Sequence, residues 1–230
     1  MNSKFTESIS VLDRSALKLI AAASMLIDHI GTVFFNAVWM RCVGRLAMPI
    51  FCFFVAEGFY YTSDRLKYLK RMGLFALISE LPFDLAFYGE FPYWGHQNVM
   101  CTFFLAILAM YAFQELTVEF DGDKGKYIGI GAALLCSAAA IFLKTDYSSF
   151  GVALVFIFFV LKDRGLIVQN VAALICQLIV RGEGIHVWAM ASAIPLMMYN
   201  GEKGRNLKWF FYCLYPGHLL ILGMIKYAIR

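Results

Sequence analysis

The chain has 230 residues, of which 61% are hydrophobic and 16% charged, where a soluble domain averages about 45–50% apolar and about 25% charged. With a mean hydropathy of +0.68, this composition excludes a water-soluble enzyme and a disordered chain, and it points to an integral membrane protein. The formal charge of +4 is too small to suggest a nucleic-acid partner.

A membrane-crossing helix needs about 20 mostly apolar residues. Nine runs are candidates, at 16–36, 43–61, 69–88, 99–117, 127–143, 148–161, 166–181, 185–200 and 209–228. They predict an all-α, polytopic transmembrane bundle of about nine spans, forming one domain over 1–230. The sixth to eighth runs are short, so they are candidates for tilting, re-entry or merging with a neighbour. The first run is long enough to span, carries Asp28–His29 near its far end and is not followed by a small-residue cleavage site, so it is expected to be a retained helix.

Polar breaks separate the runs, among them Thr62-Ser63-Asp64, Gly89 to Gly95, Asp121-Gly122-Asp123, Asp163-Arg164-Gly165 and Gly201 to Arg205. Gly125, Gly129 and Gly131 suit close helix packing. Cys42, Cys52, Cys101, Cys136, Cys176 and Cys213 form no CxxC pair and are expected to be small buried hydrophobes. Tyr93, Trp94, Trp188 and Trp209 fall where an interfacial belt is expected.

Lys and Arg set the orientation. With the N-terminus in the cytoplasm, fourteen of the twenty cations fall inside and six outside. Lys4 counts with the inner set and Arg230 with the outer. The localisation expected is therefore a bacterial inner (cytoplasmic) membrane, crossed many times, with the lipid bilayer as first partner. The oligomeric state is left open.

Ionisable residues inside spans are rare and mark function by default. Lys18 and His29 are eleven residues apart, close to three turns or about 16 Å, and so share a face of the first helix. Asp28 points about 100° away, which suits contact with a neighbouring helix. Glu80 and Asp84, spaced i, i+4, line one face of the third run. Arg45 and Glu57 lie on the second run, and Lys67, Lys70 and Arg71 open the third. His96, Asn98, Asp146 and Tyr147 fall near the outer boundary, and His218 half-way along the last run. A purely structural alternative is open for most of them: carboxylate–arginine pairs holding helices together, solvated loop histidines at His96 and His186, and positive-inside topology for the Lys67 cluster.

Several segments resemble the TraX family: LKLIAAASMLIDHIG, VGRLAMPIFCFFVAEGFYYTSD, YLKRMGLFALISELPFDLAF, QNVMCTFFLAIL, TDYSSFG and FYCLYPGHLLIL. TraX proteins are multi-span bacterial membrane proteins tied to acetylation of a pilin N-terminus. They in turn look like distant relatives of the transmembrane acyltransferase superfamily, which carries a first-helix arginine with a catalytic histidine eleven residues later. Lys18 and His29 hold that spacing, with lysine in place of arginine, a point charge without the bidentate fork. Glu57-Gly58-Phe59 resembles the superfamily's Ser-Gly-Phe, and Lys67, Lys70 and Arg71 its basic stretch.

The resemblance implies an acyltransferase. Acetyl-CoA, the acyl donor, enters from the cytoplasm, with Lys18, Lys67, Lys70, Arg71 and Glu57 at its binding site. His29 serves as general base, oriented by an acid drawn from Asp84, Glu80 or Asp146, with Asp28 beside it. Arg45, Asn98 or Tyr147 stabilise the developing oxyanion. The acceptor, a peptide N-terminus, a pilin-like chain or a glycan, meets Asn98, Asp146, Tyr147 and His218 on the outer side. No resident metal is expected. Two rivals remain at this stage: an intramembrane zinc hydrolase using the four histidines with Asp28 and Asp84, although no HExxH motif is present, and a transporter using the buried charges, although no inverted repeat is visible. A non-enzymatic assembly role beside a secretion system is a third.

Overall fold

A computed structural model of the protein describes residues 10–120 and 122–229. Lys4, Asp121 and Arg230 lie outside the described residues. The described residues form helices and their connections, and the elements are set by local chemistry. Helix α1, Arg14–Ile30, starts where the Asp13 carboxylate accepts the Ala16 N–H at 2.7 Å. It runs on into a wide π turn, Gly31–Phe35, and stops at Asn36, whose φ of 48° is left-handed. Then follow α2, Val38–Gly44, and α3, Ala47–Tyr61. Asp64 caps α4, Arg65–Phe87, and Asn98 caps α5, Val99–Glu119. The remaining helices are α6, Gly122–Phe142, α7, Ser148–Val160, and α8, Leu166–Arg181. A 3-10 stretch, Gly184–Ser192, leads into the short α9, Ala193–Met197, before the last helix, α10, Lys208–Ala228.

Helix α3 is apolar all round, and eleven of its fifteen residues are buried, which places it at the centre of the bundle. It packs on α1, α5 and α7, while α10 lies along α4. Helices α5 and α6 form the most extensive pair. Their axes approach because Gly129 has no side chain; a Cβ there would meet Phe113 Cδ2 at 2.9 Å. Gly125 is equally confined, by the Phe120 carbonyl, whereas Gly131 faces open space and is not a packing residue.

Among the described residues, four stretches are long and apolar enough to cross a membrane: Arg14–Phe35, Val38–Tyr61, Val99–Glu119 and Gly122–Phe142. Helices α4 and α10 have the length, with 23 and 21 residues. However, α4 carries six charged residues and α10 two lysines and a histidine. Helix α7, with 13 residues, is about 20 Å long, short of the roughly 30 Å of a bilayer core. The nine runs read from the sequence are thus all helical, and four of them have the profile of a full span.

The outer surface is apolar. Leu77 and Ile78 on α4, Leu135 and Phe142 on α6, Ile179 on α8 and Met224 on α10 are all exposed. Exposed apolar area on this scale far exceeds the few hundred Å² of a soluble monomer's largest patch, and it suits lipid as solvent. The interior is where the polar groups sit: Asp28, Arg45, Glu57, Asp84, Asn98, Gln169, Gln177 and His218 are buried. All six cysteines are free thiols; Cys52 is buried, and Cys213, expected inside, is exposed. Trp94, Trp188 and Trp209 are exposed as an interfacial belt requires.

Candidate functional site

Two cavities lie along α1, one towards each end. The first, of about 240 Å³, is bordered by Asp28, His29 and Thr32 of α1, Arg41 of α2, Arg45 just beyond it, Phe83 and Phe87 of α4, His96, Asp146, Tyr147 and Tyr215. The second, of about 550 Å³, is bordered by Arg14 and Lys18 of α1, Arg71 of α4, and the segment Lys203 to Lys208 that leads into α10.

The histidine cavity is built on a helix-to-helix ion cluster. Arg45 Nη2 lies 2.7 Å from Asp28 Oδ2, and Arg41 Nε lies 3.3 Å from Asp28 Oδ1. This is possible because Gly44 has no side chain: a Cβ there would sit 2.1 Å from the Asp28 Cβ. Arg41 also donates to the Thr32 hydroxyl, which donates in turn to the Asp28 carbonyl. Arg45 Nε donates to the Arg41 carbonyl, and the Arg45 guanidinium lies 5.9 Å from the Tyr147 ring. The cluster is neutralised locally only in part, and Asp146 adds a second carboxylate to the same cavity.

His29 borders the same cavity. Its Nδ1 is 2.7 Å from His218 Nε2, and His218 Nδ1 is 2.7 Å from the Leu214 carbonyl. The two imidazoles are nearly parallel, at 15°, and Phe87 meets His29 edge-on at 5.2 Å. His96 Nε2 lies 3.5 Å from Asp146 Oδ1 and the ring stacks on Phe83. Thr102 donates to the Asp146 carbonyl, and Asp146 N–H donates to the Gln97 carbonyl, so the pair is pinned by its backbone.

Not every residue singled out from the sequence reaches a cavity. His29, Asp28, Arg45, Asp146 and Tyr147 come together at the first. His218 stands behind His29 rather than at the cavity wall. Glu80, Asp84 and Asn98 are engaged elsewhere. Asn98 caps α5 and donates to the Ala76 carbonyl and to Glu80, while Asp84 accepts the Tyr93 N–H at 2.8 Å and so ties the 88–98 loop. An acid oriented on His29 was expected from Asp84, Glu80 or Asp146; the structure puts His218 at that ring nitrogen.

At the second cavity, Lys18 and Arg71 are present, with Lys18 Nζ held 5.2 Å from the Phe54 ring. Lys67 and Lys70 are exposed on the other face of α4, and Lys67 pairs with Asp64 at 3.1 Å. Glu57 is a tie rather than a cavity wall. It is bonded to Arg14 at 3.0 Å and the Tyr199 hydroxyl at 3.0 Å, with Lys162 at 3.7 Å. In place of Lys67, Lys70 and Glu57, the cavity has Arg14, Lys203, Arg205 and Lys208. Three cations on the segment leading into α10 and three on α1 and α4 suit an anion bearing several phosphates. Among the described residues, no three of His, Cys, Asp and Glu are grouped to hold a metal ion.

Phe51 of α3 and Phe103 of α5 border both cavities. The two hollows therefore share these two aromatic side chains as common lining.

A family model described as TraX protein matches residues 13–226, a range that contains every residue bordering either cavity. The chain is 26% identical over 248 aligned residues to the probable fimbrial assembly protein FimC, serogroup H1, of Dichelobacter nodosus, covering 93% of this chain and 96% of that one. It is 24% identical over 185 residues to the uncharacterized protein RP591 of Rickettsia prowazekii (strain Madrid E), covering 80% of this chain and 68% of that one. No solved structure matches.

Proposed function

Because the chain belongs to the TraX family, we propose that it is a membrane acyltransferase that moves an acetyl group from cytoplasmic acetyl-CoA to an amine or hydroxyl on the outer side of a bacterial inner membrane. The observation that carries this reading is the meeting of the histidine cavity and the cation-lined cavity at Phe51 and Phe103. The N-terminus lies in the cytoplasm, and the helices cross the membrane about nine times, which puts the cationic cavity inside and the histidine cavity outside. The printed name of the FimC relative makes a pilin-like peptide the first acceptor to try.

Each group has a task in this scheme. Arg14, Lys18, Arg71, Lys203, Arg205 and Lys208 hold the phosphates of the donor. The bound donor supplies an acyl group activated as a thioester. His29, at the wall of the outer cavity, takes the proton from the acceptor amine as its nitrogen bonds to the acyl carbon, and that proton would pass to the coenzyme A thiolate released when the carbon–sulfur bond breaks. The Arg45 and Arg41 guanidiniums, fixed by Asp28, present positive charge to the same space, where negative charge develops on the acyl oxygen. His96 and Asp146, which border the same cavity, receive the acceptor.

Acetyl transfer by the purified protein in nanodiscs tests this, with labelled acetyl-CoA and a synthetic pilin-like N-terminal peptide. His29→Ala is expected to lower kcat by about 10²–10⁴-fold. Lys18→Ala with Arg71→Ala is expected to raise KM for acetyl-CoA at nearly constant kcat. Transfer that is unaffected by loss of His29 would remove it from the mechanism. Wild-type protein that neither binds nor turns over acetyl-CoA would end the reading.

A further inference from the structure

A general base must keep its lone pair on the side where the substrate lies. In enzymes where a histidine does this, the other ring nitrogen is usually fixed by a carboxylate. Here the nearby acids are engaged otherwise. Asp28 is held by Arg41 and Arg45, Asp84 by the Tyr93 N–H, Glu80 by Asn98 and Asp146 by His96.

The hydrogen-bond chain through His218 decides the matter in two steps. A backbone carbonyl only accepts, so His218 Nδ1, 2.7 Å from the Leu214 carbonyl, carries the proton. A neutral imidazole has one donor and one acceptor, so His218 Nε2 is the acceptor. His29 Nδ1, 2.7 Å away, is then the donor. In the neutral ring this leaves the lone pair on His29 Nε2. Packing fixes the pair as well: the rings lie 5.0 Å apart, Tyr215 meets His218 at 5.7 Å, and His218 is 7% exposed.

We propose that His218 is the positioning residue for His29: anchored on the Leu214 carbonyl, it sets the His29 tautomer with the proton on Nδ1 and the lone pair on Nε2. The tautomer follows from the hydrogen bonds alone; its catalytic use rests on the acyl-transfer reading above.

The test has two arms. Protein labelled with 15N in its histidine rings is examined by NMR in nanodiscs, and the His29 signals are assigned by their loss in His29→Asn. Pyrrole-type Nδ1 and pyridine-type Nε2 are expected in the wild type. His218→Leu removes the acceptor and is expected to shift His29 towards the Nε2–H form, whereas His218→Gln, which keeps an acceptor, preserves the wild-type pattern. In the second arm, His218→Leu lowers kcat by about 10²-fold, the low end of what general-base catalysis contributes. KM for acetyl-CoA stays nearly constant, since neither His29 nor His218 borders the cavity that holds the donor's phosphates, and His218→Gln restores most of kcat.

A wild-type His29 protonated on Nε2, or a tautomer indifferent to His218→Leu, would overturn the proposal. A wild-type spectrum as expected, together with no acyl transfer, would instead refute the function and leave the tautomer assignment standing. Should His218→Leu fail to fold, the wild-type spectrum and the His218→Gln kinetics still decide.

Discussion

Replacing Asp28 by Asn removes a single charge from the ion cluster that joins α1 to α2. Asp28 and Arg45 keep only 9% and 7% of their side-chain surface exposed, so solvent screens neither. Arg45 cannot swing to water, since its Nε is also bonded to the Arg41 carbonyl at 3.2 Å. Breaking a buried pair by removing one partner leaves the other charge uncompensated and costs about 3–5 kcal/mol. For a chain of this size each kcal/mol shifts the melting point by roughly 2–4 °C, so Asp28→Asn is expected to melt about 6–20 °C lower. The protein supplies its own probe: buried Cys52 is expected to react with a fluorogenic maleimide only on unfolding, above a baseline set by exposed Cys213 and the half-buried Cys42, Cys101, Cys136 and Cys176. Adding Arg45→Met to Asp28→Asn should recover part of the loss, because the charge left stranded in the interior is then removed. A melting point within about 2 °C of wild type for Asp28→Asn, or no recovery in the double variant, would refute this account of the cluster.

Tyr199→Phe removes a hydrogen bond to the Glu57 carboxylate and should cost about 1.5–3 kcal/mol, read by the same thiol-reactivity melt. Glu57→Ala should cost more than Tyr199→Phe, because it leaves Arg14 and Lys162 without their carboxylate. Gly129→Val must push α6 away from the backbone of Phe113 and should destabilise by about 1–3 kcal/mol, whereas Gly131→Val, in open space, should melt close to the wild type but for a small helix-propensity effect. The Asp64 carboxylate accepts the Lys67 N–H at the start of α4, which holds its pKa below the ordinary value. A carboxyl depressed on folding stabilises above its unfolded pKa, about 3.9, and loses that contribution as pH falls through the lower, folded value. The difference in melting point between wild type and Asp64→Ala should therefore be present at pH 7 and vanish in acid; a gap that persists at the lowest pH would refute the cap.

Much of the bundle was legible because its signals are local. Apolar runs and polar breaks gave the described helices except α2, Val38–Gly44, which begins in the gap between the first two runs, and the 100° step from His29 to Asp28 put the carboxylate on a face that meets α2. The face of α4 was also open to reading. Tyr68, Met72, Ala76, Ser79 and Phe83 recur at helical spacing and are buried, so Arg71, beside Met72, turns inwards, while Lys67 and Lys70 fall on the outer side with Leu74 and Leu77. Clustering the three cations by sequence proximity hid that difference. The partner of His29 was not legible, because it lies 189 positions away and no local pattern marks it. The same is true of His96, which looks like a solvated loop histidine until the Gln97–Thr145 bridge brings its loop against Asp146. Lys203, Arg205 and Lys208 were counted as topology charges alone; their place beside Lys18 depends on the N-terminal strand-like contact between Leu12 and Tyr199, which draws that segment over α1.

The aromatic pair Phe51 and Phe103, which borders both cavities, has a bearing on the cell as well as on the chemistry. A shaft running clear through a bilayer would leak ions and discharge the gradient that the membrane exists to store. Phenyl side chains offer a hydrated ion no polar partner, so the common lining of Phe51 and Phe103 sets an apolar step between the two polar hollows.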